Sequence, residues 1–463
     1  MSQSRRTPPP QRSTHGPEAS ARSTRSQPDG PDRPDRPGAP ADAVELLSVR
    51  EAAALLGVKP QTLYAYTSRG LLRSVPSVVG RSRRYARDEL LRLSRRAAAR
   101  AGHTAVAAAA LDWGEPVLDS ALTKISSEGP RYRGLSALEL AAAQVPFEAV
   151  AELLWGSAPT GSVTALRELA IDWPQPPLGL PLVALRGLLP AEVPRLQLLL
   201  CAVPLWAQRD PGRFLGAGRG EEAERARARA LLRRLALVLV LARPQKDPER
   251  LQKAAGHERI ALILAAALGS GSREQASAIE HALILMADHE LNASTFAARI
   301  AASVGTDLYG CVTAALAVLT GPAHGGACDG VEALLSEIGT PARAAATLHE
   351  RARRGERQLG FSHPLYPAGD PRSRPLLELA YAIGGQKPRV RTLRALVQAL
   401  SADGLPLPAV DFGLVAIAEA LGLLPGSASA LFAVGRAAGW IAHVFEQRIG
   451  GVMLRPRARY IGP

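Results

Sequence analysis

Cysteine, methionine and aromatic residues are scarce in this 463-residue chain. It has three cysteines (Cys201, Cys311 and Cys328) and three methionines, and aromatics make up 4% of it. So few thiols exclude a disulfide framework and point to a reducing compartment, the cytoplasm. Long apolar runs are missing too. The longest, Leu235 to Ala242, is flanked by Arg234 and Arg243 and falls far short of the ~20 residues that cross a bilayer. The N-terminus lacks the apolar core of a secretory signal, and its acidic residues argue against a transit peptide. No metal-ligand cluster, phosphate-cradling glycine loop or internal repeat is evident, so no resident metal or cofactor is expected. Alternating β-branched stretches are few while Ala and Leu abound, which predicts a mainly α fold.

Charge is distributed unevenly. Residues 1–102 hold 19 Lys and Arg against 9 Asp and Glu, a net of +10 out of +14 for the whole chain. Such a concentration is the electrostatic footprint expected for duplex DNA. Residues 1–43 are rich in Pro, Ser, Arg and Asp and nearly free of large apolar side chains. They cannot bury enough surface to offset ordering entropy, and they read as a disordered basic arm.

Residues 44–102 have a different pattern. Ser48 and Glu51 fit a capping box ahead of a helix over Val49–Leu56, with Ala52, Ala53, Leu55 and Leu56 as its apolar face. Gly57-Val58 makes a turn, and Pro60 suits the first position of a second helix ending at Ser68. Gln61, Thr62, Tyr64, Tyr66 and Arg69 fall outward or at that helix's end. A basic turn, Gly80-Arg81-Ser82-Arg83-Arg84-Tyr85, then precedes a helix from Arg87 to about Arg96. Two short helices across a tight turn, followed by a basic wing, make a winged helix-turn-helix. The pattern resembles the DNA-binding domain of the MerR and excisionase families. The candidate DNA-contacting residues are Gln61, Thr62, Tyr64, Arg69, Arg81, Arg83 and Arg84.

Three short stretches in the back half carry chemistry. They are Ala287-Asp288-His289-Glu290-Leu291-Asn292-Ala293-Ser294, then Gly321-Pro322-Ala323-His324-Gly325-Gly326, then Gly360-Phe361-Ser362-His363, with Arg372 nine residues further on. Neutral imidazole can polarise a carbonyl or pass a proton near pH 7. Glycines allow close backbone approach to a ligand. Taken alone, His289 also fits a core histidine satisfied by Asp288 or Asn292. After it, Ala293, Phe296, Ala297, Ile300 and Ala301 are spaced like a buried helical stripe.

The order of these motifs resembles the citrate synthase family, over roughly residues 105–463. Further matches are Tyr132-Arg133-Gly134, Phe147-Glu148-Ala149-Val150-Ala151-Glu152-Leu153-Leu154, Val410-Asp411-Phe412, Gly435-Arg436-Ala437-Ala438-Gly439-Trp440-Ile441-Ala442-His443 and Arg455-Pro456-Arg457. The resemblance implies an all-helical fold of two subdomains over residues 103–463, the small one spanning roughly 325–412 and closing over substrate. It implies a homodimer that condenses acetyl-CoA with oxaloacetate, the first step of the tricarboxylic acid cycle. By match, Asp411 is the base, His324 stabilises the enol, and His363 polarises and protonates the oxaloacetate carbonyl. His289, Arg372, Arg436 and Arg455 match the anion-holding positions, and in the family the last reaches the neighbouring subunit's site. An arginine fork suits carboxylates because it binds them bidentately.

The departures are as specific as the matches. Cys328-Asp329 stand where the family has Asn-Glu, Ser362 replaces a glycine, and Ala409 replaces the Asn before Val410-Asp411. Pro364 and Pro367 replace an Arg and a Lys on a loop that the family turns toward a CoA phosphate. Two alternatives therefore stand beside the acetyl-CoA enzyme: a non-catalytic, metabolite-sensing transcriptional regulator, and a 2-methylcitrate synthase using propionyl-CoA. One methylene is worth only ~1–3 kcal/mol in a pocket, and residue types alone do not separate acetyl from propionyl.

Overall fold

The computed structural model describes residues 46–56, 58–68, 72, 74–76, 83–86, 90, 118–158, 161–176, 182–190, 192–214, 220–243, 248–356, 365–402, 404–405, 408–456, 460 and 462. The predicted arm and the predicted helix from Arg87 to Arg96, save Leu90, lie outside that set. The chain divides into two compact units, residues 1–107 and 108–463.

In the first unit, β1 (Leu46–Ser48) leads into α1 (Val49–Leu56) and α2 (Pro60–Ser68), followed by β2 (Val75–Pro76) and β3 (Arg83–Ala86). The capping box forms as read: Ser48 N donates to Glu51 Oε2 at 2.8 Å, and Glu51 N donates to Ser48 Oγ at 3.3 Å. The strands make an antiparallel sheet in the order β1-β3-β2, with Leu47 opposite Tyr85 and Val75 opposite Arg84. Ala52, Ala53, Leu63, Leu72, Tyr85 and Leu90 form its small core, with Leu55, Leu56 and Tyr66 packed at the margin.

The second unit opens with a three-stranded antiparallel meander, β4 (Thr123–Ser126), β5 (Gly129–Tyr132) and β6 (Leu135–Ser136). Among the described residues every later regular element is helical: α3 (Ala137–Ala142), α4 (Phe147–Trp155), α5 (Val163–Arg167), α6 (Leu182–Leu188), α7 (Arg195–Gln208), α8 (Glu221–Val238), α9 (Pro248–Ala255), α10 (Ile260–Leu268), α11 (Arg273–Met286), α12 (Ala293–Ser303), α13 (Leu308–Leu319), α14 (Ala327–Ile338), α15 (Ala344–Arg353), α16 (Ser373–Gly384), α17 (Pro388–Ala402), α18 (Val410–Leu421) and α19 (Ser427–Gly450), with two short 3-10 turns. One continuous apolar core runs through them, including the fully buried Trp206, Trp440, Phe147 and Phe412.

The 24-residue helix α19 is long and apolar enough to cross a membrane, but 94% of its most apolar stretch is buried by the other helices. It is the central core helix. Small residues set its neighbours' distances. The Gly439 N–H donates to Ala287 O at 2.9 Å, and a methyl group at Gly439 would lie 2.3 Å from Asp288 Oδ1. The backbone just after α11 therefore rests directly on α19. Gly384 does the same for α16 against α18, where an added Cβ would fall 2.6 Å from Ala420 Cα.

The structure corrects one sequence expectation. Of the stripe Ala293, Phe296, Ala297, Ile300 and Ala301, none is fully buried, and Ile300 is 37% exposed. The buried face of α12 is instead Ser294, Thr295, Ala298, Arg299 and Ala302. Polar bonding decided it. Arg299 is drawn inward by Gln447 Oε1 (2.9 Å), His443 Nδ1 (3.1 Å) and Glu446 Oε2 (2.7 Å), and Ser294 by the site described next. Buried polar groups with partners outweigh apolar spacing.

Candidate active site

The segment between α11 and α12 is held from below. Tyr132 Oη lies 3.0 Å from Ile284 O and 3.3 Å from both Leu285 O and Asp288 O. Asp288 is fully buried and meets His443 Nε2 at 3.4 Å. Since Arg299 donates to His443 Nδ1, the ring proton sits on Nε2 and points at Asp288. Burial pushes the Asp288 carboxyl up, but His443 and Arg436 outweigh it and hold it below its ordinary value. Asn292 caps α12, its Oδ1 accepting from Thr295 N at 3.1 Å. Between them Glu290 adopts φ +56°, a left-handed conformation that costs a non-glycine residue ~1–3 kcal/mol and persists only where the surroundings enforce it.

That anchoring fixes His289, which is 5% exposed. Its Nε2 meets Tyr366 Oη at 3.0 Å, and the rings pack edge to face, 5.5 Å apart. The sequence offered Asp288 or Asn292 as partners for a structural histidine. The geometry supplies a tyrosine from a segment 77 residues away, whose phenol burial pushes up to about 12.

His324 sits in the tight turn after α13. An added Cβ at Gly325 would meet Leu319 at 2.6 Å, and one at Gly326 would meet Gly321 O at 2.9 Å. The Gly-Gly pair is thus sterically required here. His324 Nε2 meets Ser294 Oγ at 2.8 Å, and that oxygen accepts from Trp440 Nε1 at 3.1 Å. Ser294 also lies 2.8 Å from Asn292 Oδ1, and the ring stands edge-on to Phe432 at 5.7 Å. Burial first, and the Arg436 charge second, lower the imidazole to about 4, so it is neutral at physiological pH.

Two guanidinium groups are buried nearby. Arg372, 2% exposed, forms a two-pronged pair with Asp370 (Nε to Oδ1 3.0 Å, Nη2 to Oδ2 2.8 Å), and its Nη1 is buried without a partner among the described residues. Asp370 also accepts from Val410 N at 3.2 Å, tying the start of α16 to the start of α18. Arg436, 1% exposed, donates from Nε to Met286 O at 2.8 Å and lies over the Phe432 ring at 4.9 Å. Burial lowers it to about 10 against the pull of Asp288, and it stays charged at neutral pH. An unspent buried N–H on Arg372 and a second charged fork have the chemistry to receive a small anion.

Asp411 lies in the first turn of α18, half-buried, with Cys328 Sγ donating to its Oδ1 at 3.3 Å. Burial raises its carboxyl, against Cys328 and the smaller pull of Arg372. These groups share one field: Arg436 acts on His324, Arg372 acts on Asp411 and Arg436, and both arginines act on Tyr366. The fold thus gathers His289, His324, Arg372, Arg436 and Asp411. His363 lies outside the described residues. Arg455 is exposed on the terminal segment beyond α19.

Sequence reasoning missed Ser294, Tyr366, Asp370, Phe432 and Trp440 as parts of this site. Ser294 and Trp440 stand inside quoted motifs, but their convergence on His324 is a tertiary fact. In the first unit Gln61, Arg83 and Arg84 are exposed, Thr62 is half-buried and Tyr64 is 50% exposed. Arg83 Nη1 donates to Ser74 Oγ at 2.7 Å. Arg69 and Arg81 lie outside the described residues.

Comparison with known proteins agrees with this division. Residues 110–457 match the family described as "Citrate synthase, C-terminal domain", and residues 46–97 match "Helix-turn-helix domain". The 2-methylcitrate synthase of Mycobacterium tuberculosis H37Rv is 31% identical over 343 residues, 72% of this chain and 84% of that one. Citrate synthase 2 of Bacillus subtilis strain 168 is 39% identical over 193 residues, 41% of this chain, and the match spans about half (52%) of that relative's length. Among solved structures, the ternary complex of carboxymethyl coenzyme A and oxaloacetate with citrate synthase from Thermoplasma acidophilum has a TM-score of 0.62. It is 27% identical and covers 75% of this chain and 94% of its own.

Proposed function

The chain belongs to the citrate synthase family, and on that premise we propose that it condenses acetyl-CoA with oxaloacetate to give citrate and CoA, and that its front unit binds duplex DNA. The observation that carries the enzyme reading is one cluster of two buried arginines, a neutral His324 and the carboxylate of Asp411.

The chemistry follows from those groups. A thioester methyl group is a weak acid, so its proton must leave as charge is absorbed on the thioester oxygen. Asp411 takes the proton, and the C–H electron pair becomes the enol double bond. The neutral His324 ring serves as the hydrogen-bond donor to the developing oxyanion. Such a donor is worth ~3 kcal/mol of barrier. The enol carbon attacks the keto carbon of oxaloacetate, whose carboxylates Arg372, Arg436 and His289 hold and whose oxygen His363 protonates. Water then cleaves the thioester and releases CoA. The reaction as written calls on no resident cofactor. The segment near 325–412 closes over the substrates, and Arg455 completes the site of a partner copy in a homodimer. Three free thiols suit a reducing cytoplasm.

The test is oxaloacetate-dependent loss of thioester from acetyl-CoA by the purified chain. Turnover should fall at least ~100-fold in Asp411→Ala while oxaloacetate binding persists. Faster turnover of propionyl-CoA assigns a 2-methylcitrate synthase, as the mycobacterial relative suggests. Oxaloacetate binding without turnover overturns the enzyme reading in favour of a metabolite-sensing regulator, the outcome that Pro364 and Pro367 favour.

A further inference from the structure

The contact between Cys328 and Asp411 is specific to this chain's departure from its family. Cys328 is fully buried in the first turn of α14, four residues after His324, and its N–H reaches back to Gly325 O at 3.3 Å. Its Sγ lies 3.3 Å from Asp411 Oδ1. A thiol has one proton to donate, and here the acceptor is a carboxylate oxygen. We infer that Cys328 is a positioning residue for the base: its S–H occupies Oδ1, holds the side chain in one rotamer, and leaves Oδ2 as the atom that takes the substrate proton. The inference rests on the condensation reading above.

The same short turn then serves both halves of the enolisation. Its histidine faces the oxygen where charge develops, and its cysteine aims the carboxylate that removes the proton. α14 and α18 are separate elements, and this bond registers one against the other. Burial, with Asp411 adding to it, pushes the thiol well above its ordinary value, so it remains a donor and not a nucleophile. The other charged groups facing the carboxylate are Asp370, which raises it, and Arg372, which lowers it. Both are tied up in their own ion pair. A thiol is a weak donor, so it orients the base while lowering its basicity little.

The experiment measures kcat and KM against pH for the wild type, Cys328→Ala and Cys328→Ser in the full chain, following thioester absorbance so that no thiol reagent is present. Cys328→Ala should lower kcat about three- to tenfold with KM for oxaloacetate little changed, and should move the acid limb to higher pH because the carboxylate has lost a donor. Cys328→Ser restores a donor and should recover kcat, with the limb at or below the wild-type position. An unshifted limb in a folded Cys328→Ala, or a folded Cys328→Ser that behaves like it, overturns the inference. Infrared spectroscopy decides the contact independently of turnover. The S–H band lost in Cys328→Ala should rise in frequency in Asp411→Asn, where an amide replaces the charged acceptor. A band at the free-thiol frequency in the wild type refutes the bond even if the enzyme is active. A wild type without turnover sinks the condensation reading, and with it the role inferred for the thiol, whatever the infrared result.

Discussion

Gly439→Ala is a one-methyl test of how α19 supports the site. The new Cβ would lie 2.3 Å from Asp288 Oδ1, 2.4 Å from Ala287 O and 2.9 Å from Asp288 Cβ. A comfortable nonbonded separation is about 3.5 Å, so the 287–288 backbone must retreat by roughly 1 Å. Overpacking of this kind costs about 1–3 kcal/mol. Weakening the Gly439 N–H bond to Ala287 O adds about 1 kcal/mol. The better helix propensity of alanine returns about 1 kcal/mol. A net loss of about 1–3 kcal/mol follows, or roughly 1–4 °C in the melting midpoint of a unit this size. His289 is the next residue along, and a 1 Å displacement of a positioning group can cost on the order of 100-fold in rate. Gly450→Ala on the same helix is the control, because nothing lies within 4 Å of its Cβ position. Thermal melting and kcat/KM of both variants are the assays. If Gly439→Ala melts and turns over like Gly450→Ala, the direct seating of the 287–288 backbone on α19 is wrong.

Three further outcomes are expected. In the full chain, Arg83→Ala with Arg84→Ala should weaken binding to every duplex and flatten the salt dependence by about one unit per lost phosphate contact, whereas changes at Gln61 or Tyr64 should alter sequence preference; salt-independent binding by the wild type would refute the DNA reading. Arg455→Ala and Asp411→Ala should each be inactive, yet co-expression should restore part of the activity through mixed dimers with one intact site; a monomer with normal turnover would disprove the exchange. Glu280 is buried beside Glu148, shares Arg259 with it at 2.9 Å each, and accepts from Phe147 N. Burial, then Glu148, raises its carboxyl to about 7 from 4.5. The folded state therefore holds a proton that the unfolded state releases, and stability should fall as pH rises from about 4.5 to 7, by at most ~3 kcal/mol. Glu280→Gln should flatten that slope in denaturant titrations, and an unchanged slope would count against the shift.

Local signals were legible, and long-range convergence was not. Helices α1 and α2 begin and end where Ser48, Glu51, Pro60 and the turn at Val58 place them, since capping and proline geometry act within a few residues. The strands β4 to β6 escaped because each is only two to four residues long, too short for alternation to register. The face of α12 was misread because periodicity counts apolar side chains and cannot see Arg299 drawn inward by partners about 145 residues away. At the site His289, His324, Arg372 and Arg436 could be named from motif order, whereas His363 lies outside the described residues and Arg455 is exposed beyond α19. Tyr366 on His289, Phe432 under Arg436 and Trp440 on Ser294 depend on α19 crossing the end of α11, which no local window contains.

The two proposed activities fit together through symmetry. If Arg455 completes a neighbouring site, the smallest complete enzyme is a two-fold dimer, and its interface must be isologous. The exposed terminal segment from Gly451 to Pro456 fits such an exchange, with Val452 63% and Met453 55% exposed on the isolated chain. A two-fold dimer also carries two copies of the front unit, and paired helix-turn-helix units read two half-sites about one DNA turn apart or a multiple of it. The oligomer that the chemistry needs is thus the oligomer that DNA reading needs. A mutation that breaks the dimer should weaken both together, with turnover and affinity for a two-half-site duplex falling over the same range of protein concentration. Loss of one with full retention of the other would show that the two units share a chain but not an assembly.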